Sequence, residues 1–271
     1  MSNVVSLNQK IEETNINPEF IVFEHPLNET VRICLLLEQL FNQAHDDIEI
    51  INTKSQSNQA ISTLIKLMNV IDRPDLKGKL TKALSQQATS PSQLESNRQV
   101  DQKKLTSILN EIDAISDQLH ATNNKFGQAL KDNGILKTIA QYSSSPGGAA
   151  NFNTPRYMLW LQQDNKQKKL DLNKWLAEFE LIQRTVTILL RLTRHSQGLS
   201  KKLASDSFFQ INLESNPITQ LIRVKIAIDA NIWPEISVGR HRLAIYFIGG
   251  DNKSELKQDK KNINFELACC C

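Results

Sequence analysis

The chain has 271 residues, of which 40% are hydrophobic, 23% charged and 6% aromatic, and its formal net charge is +3. These are globular proportions for one large domain or two ordinary ones, with an aliphatic core that needs no disulfide or metal staple. A charge of +3 is too small to imply nucleic acid by itself, though it permits an acidic partner.

Residues 1–18 are polar and aperiodic and read as a flexible N-terminal extension without a sustained apolar run, so no signal peptide is expected. Nowhere do about 18 apolar residues follow one another, and no membrane span is expected. Glu19 to Phe23 (EFIVF) is strand-like and needs a sheet from elsewhere in the chain. From Pro26 the period is helical. Leu27, Val31, Cys34 and Leu35 share a face that Ile33, Leu37, Leu40 and Phe41 broaden, as in a helix packed on more than one side. Ala60, Leu64, Leu67, Met68 and Ile71 repeat the spacing until Arg73-Pro74 interrupts it. Pro74-Asp75 opens a basic helix through Lys77, Lys79 and Lys82, and Ala88 to Asn97 (ATSPSQLESN) reads as a loop.

Leu105, Ile108, Leu109, Ile112, Ile115 and Leu119 predict a long amphipathic helix. Phe126 to Tyr142 reads as a helical pair broken near Asn133-Gly134, and Ser143 to Asn153 (SSSPGGAANFN) as a loop. Pro155 opens a helix through Trp160 and Leu161, and NKQKKLDLN reads as a charged connector. Trp175, Phe179, Ile182, Val186, Leu189 and Leu190 mark a last long helix that ends near His195 to Gly198.

After about residue 200 the period becomes two. In LIRVKIAID, Val224, Ile226 and Ile228 face one way, and Arg223, Lys225 and Asp229 the other. RLAIYFI alternates Leu243, Ile245 and Phe247, INFELA alternates Ile263, Phe265 and Leu267, and FFQINL is a further strand. GGDNKSELKQDKKN reads as a mobile hairpin loop. The fold class is therefore α+β. A mostly α-helical domain over 19–200 is followed by a small antiparallel β domain over 201–271, and strand 19–24 is expected to join its sheet.

Motifs for catalysis are missing: the sequence holds no HExxH, paired CxxC, GxSxG or GxxxxGK[ST]. None of His25, His45, His120, His195 and His241 has another histidine three or four residues away. SSSPGG lacks the Lys and Ser/Thr that would hold phosphate and Mg²⁺. Cys34 stands alone, and the adjacent Cys269, Cys270 and Cys271 are poorly spaced to bridge or to wrap a metal, which reads as a reducing cytoplasm. Neither an enzyme nor a cofactor is expected. Glu24-His25-Pro26 reads as a helix start: Pro26 suits the first helical turn, His25 or Asn28 can cap it, and Glu29 meets the helix dipole.

The basic residues are Arg32, Arg73, Lys77, Lys79, Lys82, Lys131, Arg156, Arg240 and Arg242. Singly, each reads as part of a solvated face. Several on one surface would bind an acidic peptide with strong salt sensitivity.

FEHPLNE (Phe23 to Glu29), SPGGAANFNTPRYMLWL (Ser145 to Leu161) and NFELACC (Asn264 to Cys270), in that order and spacing, resemble the ZapD family of bacterial division proteins. The resemblance runs from about Phe20 to the C-terminus. It implies a helical domain plus a β domain, and a cytoplasmic homodimer without enzymatic activity. Such a dimer binds the acidic and apolar C-terminal tail of FtsZ and crosslinks or bundles FtsZ filaments, which supports Z-ring assembly at midcell. The chain departs from the family phrase at Ala150, Asn153 and Thr154, where Cys, Asp and Leu are usual, and at Met158, where His is frequent. Arg32, Arg73 and Arg242 fall where the family also carries basic residues and are the first candidates for the acidic partner. Lys77 and Lys131 are the second. A basic nucleic-acid-binding regulator is the alternative, on a pI of 8.6 and the lysine clusters, but it lacks a recognisable reading motif.

Overall fold

The computed structural model describes residues 19–94, 102–122, 125–143, 154–213, 218–239, 241–249 and 261–271. They fall into a helical unit, 26–197 with 270–271, and a β unit, 19–25 with 198–269. The expected N-terminal extension lies outside the described residues. So do most of the loops expected at 143–153 and 249–262, and Ala150, Asn153 and Arg240.

In the helical unit, α1 (Glu29–Glu49) packs against α2 (Lys54–Ile71), α3 (Leu76–Leu94), α8 (Asn165–Ala177) and α9 (Glu180–His195). Val31, Ile33, Cys34, Leu37, Leu40, Phe41, Ala44 and Ile48 are all buried, so the broad apolar surface of α1 has neighbours on several sides. The Asn28 side chain caps α1 by accepting from Val31 N at 2.8 Å. Pro26 is not in the first helical turn. It ends strand β1 (Phe20–Pro26), an edge strand, one of the places in a sheet that tolerates a residue without an N–H.

A capping box of Thr53 and Gln56 opens α2. Ala60, Leu64, Leu67, Met68 and Ile71 are buried along it, as their spacing predicts. The helix stops at Ile71, just before Arg73-Pro74. The loop expected over Ala88 to Asn97 is helical as far as Leu94, because α3 runs through Pro91. Once a helix is nucleated its propagation is favourable, and here that outweighs both the composition of the segment and the N–H that Pro91 lacks.

Ile112, Ile115 and Leu119 bury the stripe of α4 (Gln102–Ala121). The expected helical pair is α5 (Gln128–Lys131) and α6 (Gly134–Ser143), and Asn133 Oδ1 caps α6 by accepting from Ile135 N at 3.0 Å. Pro155 is the first residue of α7 (Pro155–Leu161).

The expected charged connector is mostly helix, the beginning of α8. Asp164 caps it by accepting from Gln167 N at 2.9 Å, and Leu172, Trp175 and Leu176 are buried. Lys168, only 3% exposed, occupies a core-facing position with its aliphatic stem, which disguised the helical period. The last long helix is correspondingly shorter than expected: Trp175 belongs to α8, Phe179 precedes α9, and only the residues from Ile182 onward lie in α9.

The β unit has two antiparallel sheets, ordered β1-β4-β7-β2 and β3-β6-β5. They are built from β2 (Ser200–Ala204), β3 (Phe208–Asn212), β4 (Leu221–Ala227), β5 (Ile232–Val238), β6 (Arg242–Gly249) and β7 (Ile263–Cys270). The expected pairing of EFIVF with the C-terminal sheet is present as β1 beside β4. Val224, Ile226, Leu243, Ile245, Phe247, Phe265 and Leu267 are buried, as their alternation predicts. Ile228 is the exception: it lies exposed in a short 3-10 turn, because the strand ends at Ala227 and Asn231 turns the chain at φ +49°. Edge strands β2 and β5 escape the period-two reading, since both are largely exposed and β5 carries Pro234. Strands β6 and β7 belong to different sheets, so the segment between them is not a hairpin connection.

Candidate functional site

The sequence candidates Arg32, Arg73, Lys77 and Lys131 all lie in the helical unit, and three of them sit around the start of α1 and the turn from α2 to α3. Glu29 is the centre of that arrangement. Its Oε2 accepts from Arg32 Nη1 at 3.1 Å, and its Oε1 accepts from Arg73 Nη1 at 3.4 Å. Arg73 Nε also stands 3.6 Å from Asp75 Oδ1, and Lys79 Nζ lies 2.7 Å from Asp75 Oδ2. The hydrogen bond from Lys79, helped by the charges of Lys79 and Arg73, holds the Asp75 carboxyl below its ordinary range. Asp72, next to Arg73, accepts an ion pair from Lys131 on α5.

Lys77 is placed differently. Its Nζ donates to the backbone carbonyl of Thr122 at 2.7 Å, just beyond the end of α4, where a cation meets the negative end of the helix dipole. Arg242 lies in the β unit, as the exposed first residue of β6.

The result is a strip of alternating charge in which the cations Arg32, Arg73, Lys79 and Lys131 meet the carboxylates Glu29, Asp72 and Asp75. Arg32 is the most open member, with 62% of its side chain exposed. Ion pairs this exposed are individually weak, so an anionic partner can exchange with the internal carboxylates at small cost. The sequence reading missed the carboxylates. Glu29 with Arg32 and Asp75 with Lys79 had a signal, the three- and four-residue spacings of a helix, whereas Glu29 with Arg73 had none.

Among the described residues, no group of three or more His, Cys, Asp or Glu side chains is arranged to hold a metal ion. His195 Nδ1 is 2.6 Å from Arg191 O, and His45 Nε2 is 3.1 Å from Gln183 Nε2. Glu24, in the cluster that suggested acid–base chemistry, accepts from Arg223 Nε at 3.0 Å. Burial pushes the Cys34 thiol up to about 12, with the nearby Glu38 adding to the effect, which leaves it protonated and inert. Two loosely enclosed hollows, on α1 beside Glu38 and Asp46 and on α4 beside Lys103, are lined mainly by polar side chains.

A family model named ZapD and described as a cell division protein matches residues 35–246, from α1 into β6. A cell division protein ZapD of Coxiella burnetii is 41% identical over 252 residues, covering 92% of this chain and 97% of the relative. The chain belongs to the ZapD family. ZapD proteins of Vibrio parahaemolyticus and Methylococcus capsulatus are 33% and 30% identical, again over 92% of this chain and 98% of each relative. The relatives and this chain therefore correspond over nearly their whole lengths. No helix among the described residues of this ZapD-family chain is long and apolar enough to cross a membrane.

Proposed function

We propose that this cell division protein is a non-enzymatic cytoplasmic adaptor that binds the acidic C-terminal tail of FtsZ. As a homodimer it crosslinks FtsZ filaments and promotes Z-ring assembly at midcell. The observation that carries the reading is the strip around Glu29, where Arg32, Arg73, Lys79 and Lys131 outnumber the carboxylates they meet. A surface with excess positive charge, held by exposed and exchangeable pairs, suits an acidic peptide and makes binding salt-sensitive. Arg242 and Lys77 belong to the proposed contact set, Lys77 with a second role at the end of α4.

Crosslinking needs two sites, which a dimer supplies, and multivalent attachment along a polymer then strengthens binding without new contacts. Co-sedimentation with polymerised FtsZ from the same organism tests the reading. The protein is expected to pellet with full-length filaments, not with tail-deleted ones, and less as salt rises. Remaining in the supernatant with full-length filaments would refute it, and retention on duplex DNA at physiological salt would favour a nucleic-acid regulator instead. Light scattering at working concentration checks the dimer, because a monomer cannot bridge two filaments.

A further inference from the structure

The charged strip does not end at Lys131. Three residues further on, Gly134 opens α6, and the guanidinium of Arg156 from α7 lies directly over it. A Cβ built on Gly134 would collide with Arg156 Nη1, so the absence of a side chain at 134 is what lets the guanidinium lie there. Arg156 is exposed, and no described residue forms an ion pair or side-chain hydrogen bond with it. Arg32, Arg73, Lys79 and Lys131 each already have a carboxylate. A partner's carboxylate reaches Arg156 without displacing a described side chain, and gains the pair's full benefit.

Leu159, three residues along the same face of α7, is 71% exposed. Neither residue is spent on holding α7 in place. Tyr157 and Trp160 do that: Tyr157 hydrogen bonds to Asn58, Trp160 Nε1 donates to Asp171 Oδ2 at 2.8 Å, and their rings stack 5.9 Å apart. The helix is thus anchored through its buried face and offers a cation and an apolar side chain together on the other.

We propose that Arg156 and Leu159 form the contact that selects an acidic peptide bearing an apolar residue beside its carboxylate, with Lys131 and the Glu29 strip providing general attraction. This rests on the reading of the chain as a binder of the FtsZ tail, and adds which residues give that binding its specificity. Charge complementarity with a guanidinium that no described residue pairs favours a carboxylate, and Leu159 favours an apolar neighbour within one turn of it.

The test uses the full-length protein and a fluorescent synthetic peptide of the FtsZ C-terminal tail, read by anisotropy beside the filament pelleting assay. Arg156→Glu is expected to weaken binding by about tenfold, more than Arg32→Glu or Arg73→Glu. Leu159→Ser is expected to weaken it severalfold. Gly134→Ala is the sharper variant, since it keeps every charge and displaces only the flexible end of Arg156. It should lower affinity severalfold without lowering the melting temperature, and should add nothing to Arg156→Ala in a double-mutant cycle. If wild-type protein fails to bind full-length filaments, the functional reading itself falls. If wild-type binds and the Arg156, Leu159 and Gly134 variants all bind equally well, the reading stands and this contact is overturned. A loss in Arg156→Glu without one in Gly134→Ala overturns the placement over Gly134.

Discussion

Arg223 Nε lies 3.0 Å from Glu24 Oε1, joining strand β4 to strand β1 across 199 positions of sequence. Both side chains are largely covered, at 20% and 17% exposure. The pair fastens the N-terminal strand to a sheet whose other strands come from Ser200 onward. Removing one partner takes this ion pair from a charge that sits in a partly desolvated place. Glu24→Ala is therefore expected to destabilise the protein by about 1–3 kcal/mol. Urea unfolding of Glu24→Ala, Arg223→Ala and the double variant checks this, and a double variant equal to the sum of the singles would show that the two do not couple.

Glu29 holds Arg32 and Arg73 at once, through pairs in which all three side chains are 42–62% exposed. Glu29→Gln should change stability by no more than about 0.5 kcal/mol, since exposed pairs contribute little. It also releases Arg32 from its carboxylate and leaves Arg73 with Asp75 alone. Affinity for the FtsZ tail should rise severalfold at low salt, with a steeper fall as salt increases. Weaker binding in a titration would mean that Glu29 positions the arginines rather than competing for them.

The Cys34 thiol gives a pH signature. Its pKa rises from 9.0 to about 12 on folding, because burial disfavours the thiolate. A group whose pKa is raised in the folded state stabilises it fully below the unfolded value and loses that contribution as pH climbs through the folded one. The loss falls between about pH 9 and 12 and totals at most about 4 kcal/mol. Stability measured across that range should fall less steeply in Cys34→Ala than in the wild type. Equal slopes would show that the thiol does not contribute.

Gly127, just before α5, has φ +68°, and a Cβ there would stand 2.5 Å from Phe179 Cε1. Phe179 is a core residue, so it has little room to retreat. Gly127→Ala combines a strained backbone with overpacking and should cost about 2–4 kcal/mol. Chemical denaturation measures it. A cost under about 1 kcal/mol would mean that Phe179 repacks freely.

Much of this molecule was legible in one dimension. Pro155 at the head of α7, the break at Asn133-Gly134 and the alternation of Leu243, Ile245 and Phe247 each come from local backbone geometry or from one buried face. The opening motif was half legible: Asn28 caps α1, but Pro26 finishes a strand, and proline suits both places. The segment 165–173 was misread because Lys168 stands at a buried position of α8, where an aliphatic stem does the work of a leucine. Strands β2 and β5 left little trace because edge strands bury little.

The class of the fold, the recruitment of EFIVF to the distant sheet, and the family can all be read along the chain, since its phrases and periods are local properties. Which cations stand free was decided by tertiary structure alone. Nothing in the order of residues says that Glu29 reaches Arg73, that Lys77 is taken by the carbonyl of Thr122, or that Arg156 rests on Gly134. An ion pair depends on distance in space, and 44 positions of chain carry no information about a 3.4 Å contact until the helices between them have packed.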